Sequence, residues 1–271
     1  MIECLVNGEI STFVATTNRG LNYADGIFET LSVHNGHPRR WQAHMDRLGV
    51  GCERLGLSMP PQSILLRELQ TVSAGLADAV VKIILTRGGE GRGYMPAEGG
   101  NCTRIVSSHL YPEGIVERAR EGIKTRICEL KLGIQPALGG IKHLNRLEQV
   151  LASAELRKTG AVEGILLDQE DYLISAIAAN IFLVLDDRLI TPRLDRCGVR
   201  GVVRGQILQA FSPRCEQRRV TLDMLQEADE VFICNTVRGI VPLTAINNHQ
   251  YPIGPVTREL QTWLLEGARK T

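Results

Sequence analysis

Residues 141–151 read IKHLNRLEQVL, and Lys142 and His143 stand side by side where an apolar pattern of helical spacing begins. A lysine in such a place is either a solvated surface charge or a desolvated amine facing a cleft, able to form a Schiff base with a carbonyl-bearing cofactor. His143 beside it is a candidate base, although a lone histidine also serves purely structural ends. Arg47, in HMDRLG (44–49), offers a guanidinium that clamps a phosphate or a stem that covers the helix surface. In DRCGVRGVVRGQIL (195–208), Gly198 and Gly201 precede an apolar helical run. Free amides at a helix start favour an anion, which makes Gly201, Val202 and Val203 candidate phosphate donors, although glycines also open helices that bind nothing. TRGGEGRGYMP (86–96) brings Arg87, Arg92 and Tyr94 onto a glycine-rich loop. No helix follows those glycines, so a dinucleotide reading fails its own context. A loop presenting Arg92 and Tyr94 to a carboxylated substrate fits better, with an ordinary hairpin as the alternative. The chain has no GxSxG, HExxH or Walker pattern.

The elements that must hold these groups follow from periodicity. Asn7-Gly8 and Asn35-Gly36 each separate short apolar runs, the signal of a hairpin. Residues 41–56 place Trp41, Met45, Leu48 and Cys52 near helical spacing, and Leu65, Leu66, Leu69, Val72 and Leu76 do so after Pro60-Pro61. AVVKIILTRGG and CTRIVSSHL read as strands. The pattern loosens at Pro112 and Gly114, where a boundary is expected between a smaller N-terminal α+β domain (1–112) and a larger C-terminal one (113–271). Beyond it come a strand over 124–130, a loop over 133–140, the helix opened by IKHLNRLEQVL, successive strands through EGILLDQEDYLISAIAANIFLVLDDRLITP, a helix after Gly201 and the strand EVFICN. Strands outnumber helices and join locally rather than through regular βαβ crossovers, which predicts an α+β class.

Composition narrows the partners. Lys plus Arg (31) nearly balances Asp plus Glu (30), so no overall field draws in nucleic acid or an acidic membrane. No apolar run approaches a bilayer span, and MIECLVNGEI does not read as a signal peptide, so a cytoplasmic protein is expected. Seven widely spaced cysteines without a CxxC pair argue against a disulfide framework and against a zinc site; no metal is expected.

GIKHLNRLEQVL resembles the lysine segment of the fold-type IV pyridoxal-phosphate-dependent enzymes, the class IV family of branched-chain and D-amino-acid aminotransferases, and most of all its aminodeoxychorismate lyase branch. The same resemblance covers NRGLNYADGIFET (18–30), HMDRLG, RGGEGRGY, GVRGVVR and ICNTVRGIVP in the family's order, nearly the whole chain. It implies a two-domain α+β homodimer of the D-amino-acid-aminotransferase type, with pyridoxal 5'-phosphate between the domains. Lys142, in the C-terminal domain, becomes the Schiff-base lysine. Arg47 and the amides of Val202 and Val203 hold the cofactor phosphate, assisted by Asn235 and Thr236. Tyr23, Arg92 and Tyr94 fall on the side of a small substrate carrying two carboxylates. The implied reaction converts 4-amino-4-deoxychorismate to 4-aminobenzoate and pyruvate for folate synthesis. The alternatives are an aminotransferase of branched-chain or D-amino acids, or a homologue with impaired catalysis.

One position departs from the family pattern. The family has a glutamate five residues before the asparagine of its N-[LI]-F segment, against the pyridine nitrogen. Here that asparagine is Asn180 and the earlier position is Ser175; Glu170, in the preceding turn, is out of register. A carboxylate keeps the nitrogen protonated, whereas a hydroxyl supplies no charge. A water or neighbouring acid in its place, a reaction that asks less of the ring, or weakened activity are the readings this leaves.

Overall fold

The computed structural model describes residues 2–89, 91–97 and 100–269, and the side chains of these except residues 92, 268 and 269. The chain divides into two compact units, one of residues 1–112 with Ile141–Asn145, the other of Glu113–Gly140 with residues 146–271.

The first unit is built on an antiparallel sheet in the order Glu9–Ile10, Cys4–Val6, Thr103–His109, Asp78–Thr86, Gly26–His34, His37–Pro38. The Asn-Gly pairs turn the two hairpins, with Asn7 and Asn35 both at positive φ. Along Gly26–His34 successive side chains face opposite ways. Ile27, Leu31 and Val33 enter a core with Met45 and Leu48 of helix Trp41–Leu55 and Leu65 and Leu69 of helix Gln62–Val72. Phe28, Thr30 and Ser32 alternate with them, and Lys82 pairs directly with Thr30 on the neighbouring strand.

His37–Pro38 covers only the far end of strand Gly26–His34. The near end is taken by the lysine segment: the Phe28 N–H donates to Lys142 O (3.0 Å), the Leu144 N–H donates to Gly26 O (2.9 Å), and Ile27 bridges His143. Gly26 makes this approach possible, because a Cβ there would lie 2.4 Å from Leu85 O and 2.7 Å from Leu144 Cδ1. Two expectations change. Lys142 is grouped with the first unit rather than with the domain that follows, and the helix begins at Leu147, not at the lysine. Backbone pairing to a distant strand edge outcompetes a local helical pattern there.

The second unit holds a mixed sheet in the order Leu173–Ala176, Gly164–Asp168, Ile123–Leu132, Gly239–Ile246, Glu230–Asn235, Asn180–Leu185, Arg188–Pro192, Cys215–Arg218, with His249–Gln250 beside Gly239–Ile246. Local joining is only part of its topology. Ile123–Leu132 runs parallel to Gly164–Asp168 with helix Leu147–Arg157 between them in sequence, and Arg188–Pro192 runs parallel to Cys215–Arg218 across helix Val202–Ala210. The first helix covers Cys128, Leu166 and Ile174. The second joins helix Pro255–Arg269 over Phe182 and Phe232, whose rings stack 5.1 Å apart. That last helix escaped the sequence reading. It is opened by the buried carboxylate of Glu230, which accepts from the N–H groups of Val256 (3.0 Å) and Thr257 (2.8 Å). At the expected boundary the chain forms the short helix Ile115–Glu121.

Candidate active site

Lys142 lies in the extended segment whose carbonyl and neighbours are fixed to strand Gly26–His34. Its Nζ stands 4.2 Å from the centroid of the Phe28 ring. An amine held over an aromatic face is not an ordinary solvated charge. Lys82 brings a second amine to the same ring, Nζ to centroid 5.1 Å, and burial pulls its pKa below the usual lysine value. Sequence reasoning passed over Lys82, although the signal was there: one charge inside the apolar run AVVKIILT. His143 is engaged through its backbone with Ile27.

Arg47 is not a loose surface arginine. Its Nε donates to Glu29 Oε1 (2.7 Å) and its Nη2 to Glu29 Oε2, and the same Oε2 lies 2.6 Å from His44 Nδ1. Glu29 and His44 are essentially without solvent exposure, while the Arg47 side chain keeps 13%. Burial works to raise the Glu29 carboxyl, but the Arg47 charge and the hydrogen bonds from His44 and Arg47 outweigh it and hold the pKa at about 2. Burial depresses the His44 imidazole, against the pull of Glu29, so it is neutral. Neither partner of Arg47 was picked out from sequence; Glu29 is on a strand and His44 on a helix.

Tyr23 and Tyr94 come together, ring centroids 5.5 Å apart. Behind them the buried Arg19 sits 4.9 Å from the Tyr23 ring and donates to Gly93 O (2.8 Å) and Tyr94 O (3.0 Å), fixing the tip of the hairpin Gly91–Arg92 and Met95–Pro96. Asp25 accepts from both Arg19 and Arg87, and Arg87 in turn closes the end of helix Trp41–Leu55 through Leu55 O and Gly56 O. Both tyrosine rings are open to solvent. The Arg92 side chain falls outside the described residues.

In the second unit Gly201 precedes helix Val202–Ala210 with no side-chain cap, so side chains leave the first amides, those of Val202 and Val203, unclaimed. A Cβ on Gly201 would lie 1.9 Å from Asn180 Oδ1, and Asn180 is itself held by donation of Nδ2 to Val199 O (2.8 Å). The chain therefore passes in close contact with Asn180 just before the helix. Arg204 on this helix is structural, buried and bonded to Thr191, Pro192 O and Gln217, with burial lowering its pKa to about 10. Asn235 turns out to serve the turn it sits in: Oδ1 accepts from the Val237 and Arg238 N–H groups (3.0 and 2.7 Å) and Nδ2 donates to Ala178 O (3.0 Å). That arrangement leaves Thr236, half-buried at the turn, as the better donor of the pair. Ser175 lies buried in strand Leu173–Ala176 opposite Leu166. Glu170 does not stand in for it, being engaged at the surface by Arg196 and Arg219.

The sequence model of the Amino-transferase class IV family matches residues 26–246. The chain belongs to the class IV aminotransferase family. It is 35% identical over 263 residues to an aminodeoxychorismate lyase of Vibrio harveyi, covering 94% of this chain and 97% of that one. It is 27% identical over 281 residues to a D-alanine aminotransferase of Listeria monocytogenes, covering 97% and 93%. The crystal structure of 4-amino-4-deoxychorismate lyase from Pseudomonas aeruginosa superposes with a TM-score of 0.92 at 40% identity, covering 97% of this chain and 98% of that one. The cofactor of this class IV chain is pyridoxal 5'-phosphate. The donors present suit it. The first unit supplies an amine against an aromatic ring and a half-buried arginine; the second supplies uncapped helix amides beside a glycine that admits no side chain. Among the described residues no helix is long and apolar enough to cross a membrane.

Proposed function

We propose that the chain catalyses the conversion of 4-amino-4-deoxychorismate to 4-aminobenzoate and pyruvate, with Lys142 as the catalytic amine. The observation that carries this is the Lys142 Nζ over the Phe28 ring, with the half-buried Lys82 amine at the same ring. The likeness to lyases of Vibrio harveyi and Pseudomonas aeruginosa supports the choice of reaction.

In this reading Lys142 would hold the cofactor, and Arg47, the amides of Val202 and Val203, and Thr236 would hold its phosphate. When bound, pyridoxal phosphate supplies a sink for the electron pair left at the substrate carbon. Lys142 would act as general base, taking the C4 proton of the substrate ring. The C–O bond to the enolpyruvyl group breaks, Lys142 returns a proton to the departing group as pyruvate, and the ring becomes aromatic. Lys82 and Tyr94 would meet the two carboxylates, on the side to which the family pattern also assigns Arg92; an amine already desolvated gains most from a carboxylate partner. Ser175 gives the ring nitrogen a hydroxyl and no charge, which suits a reaction driven by aromatisation better than the two half-reactions of a transaminase.

The product serves folate synthesis in the cytoplasm, and the working form is a homodimer. Leu147, Val150 and Leu151 on one helix, each more than half exposed, are apolar surface of the kind a second copy covers. The test offers the loaded enzyme 4-amino-4-deoxychorismate in one assay and branched-chain or D-amino acids with 2-oxoglutarate in another. Release of pyruvate and 4-aminobenzoate in the first supports the lyase; glutamate formation in the second without pyruvate in the first replaces it with an aminotransferase.

A further inference from the structure

Beyond the residues that touch cofactor or substrate, the geometry around Glu29 assigns a task to His44. We propose that His44 is a positioning residue for the cofactor phosphate: it locks the Glu29 carboxylate, and the locked carboxylate aims the Arg47 guanidinium. The inference rests on the reading that Arg47 holds the phosphate.

His44 and Arg47 are three residues apart on helix Trp41–Leu55 and so share the face turned toward Glu29 on strand Gly26–His34. Arg47 meets the carboxylate with Nε on Oε1 (2.7 Å) and Nη2 on Oε2, a two-point pairing that fixes the plane of the guanidinium only as firmly as the carboxylate itself is fixed. Glu29 has a soft terminal torsion. What stops it turning is the third bond, from His44 Nδ1 to Oε2 at 2.6 Å, made with no solvent access at either residue. An ionised carboxylate only accepts, so the imidazole proton is on Nδ1 and Nε2 is a bare acceptor. That Nε2 is buried with no hydrogen-bond partner. A residue present merely to fill the core would be aliphatic and would leave no orphan nitrogen. The ring is retained for its Nδ1–H, and that proton acts on one thing, the carboxylate that orients Arg47.

The test separates phosphate recognition from general stability by comparing two ligands that differ only in the phosphate. The full-length chain is stripped of cofactor and titrated with pyridoxal 5'-phosphate and with pyridoxal, and the ratio of the two dissociation constants is read. Arg47→Gln is the reference for loss of phosphate recognition. His44→Leu and His44→Gln, which lack a donor at the Nδ1 position, are expected to lose the preference for the phosphorylated ligand by roughly tenfold, as for one charge-assisted bond, with pyridoxal binding unchanged. His44→Asn, whose Nδ2 takes the place of the ring Nδ1, is expected to keep the preference within about threefold. If His44→Leu does not fold, the Asn and Gln pair decides. Loss in Arg47→Gln together with an intact ratio in His44→Gln overturns the positioning role and leaves Arg47 in place. Equal weakening of both ligands in the His44 variants also overturns it, since that is a structural effect alone. An intact ratio in Arg47→Gln overturns the Arg47 reading and this inference with it.

Discussion

Replacing Gly201 by alanine puts a Cβ 1.9 Å from Asn180 Oδ1 and 3.1 Å from Asn180 Cγ. An ordinary contact needs about 3.4 Å or more, so one partner must move by more than an ångström. Asn180 is a side-chain end and could swing away, but it is buried and its Nδ2 bond to Val199 O is 2.8 Å long. Breaking that bond inside the protein costs about 1–3 kcal/mol. If the backbone moves instead, the first turn of helix Val202–Ala210 shifts with it, and the amides proposed for the phosphate leave their positions. Either route is measurable. Thermal unfolding is expected to fall by roughly 3–8 °C, at a few degrees per kcal/mol for a domain of this size. Affinity for pyridoxal 5'-phosphate is expected to drop by about tenfold or more, because anion binding at a helix start depends on where the N–H groups point. Calorimetry and a cofactor titration on one preparation give both numbers. A Gly201→Ala variant with unchanged melting temperature and cofactor affinity would refute the close contact and the phosphate role of this helix together.

Other outcomes follow from the same structure. Lys82→Met keeps the stem but removes the amine, and is expected to raise KM for the dicarboxylate substrate by about 10-fold or more while the affinity for cofactor stays put, as steady-state kinetics and titration will report. Acid stability should carry the signature of Glu29: its carboxyl is lowered from 4.5 to about 2, so its contribution is complete above pH 4.5 and is lost as pH falls from there toward 2. The full loss is about 3 kcal/mol, and His44, also lowered by burial, pushes the same way as pH drops below 6.5. Denaturant melts of wild type and Glu29→Gln across that range should differ in slope; parallel curves would speak against the ion pair. Arg19→Ala frees the carbonyls of Gly93 and Tyr94 and should raise KM with cofactor affinity unchanged. Ser175→Glu should shift the bound cofactor's absorption and speed amino-acid half-reactions, measured by stopped flow; no spectral change would mean the side chain does not meet the ring.

How much of this is legible in one dimension depends on distance along the chain. The Asn-Gly hairpins and the helices Trp41–Leu55 and Gln62–Val72 are local facts, written in turn chemistry and spacing, and they match the structure. Helix Pro255–Arg269 was equally readable, with Val256, Leu260, Trp263 and Leu264 at helical intervals, and was overlooked. The helix start was misplaced because Ile141 and Leu144 imitate a helical face while the backbone of Lys142, His143 and Leu144 pairs with a strand more than a hundred residues away. The partners of Arg47 were hidden for the same reason, since no local pattern links a strand glutamate to a helix arginine. Asn235 is the opposite case: its turn over Thr236, Val237 and Arg238 is local, and an asparagine four residues before Gly239 carries a turn signal of its own.

The identity of the reacting amine is the claim on which the rest stands, and two lysines share the Phe28 ring. Borohydride reduction of the cofactor-loaded protein, followed by peptide mapping, tests it in one step. A reduced-cofactor adduct on Lys142 and none on Lys82 is the expected result. An adduct on Lys82, or on neither lysine in a protein that still holds its cofactor, would contradict it.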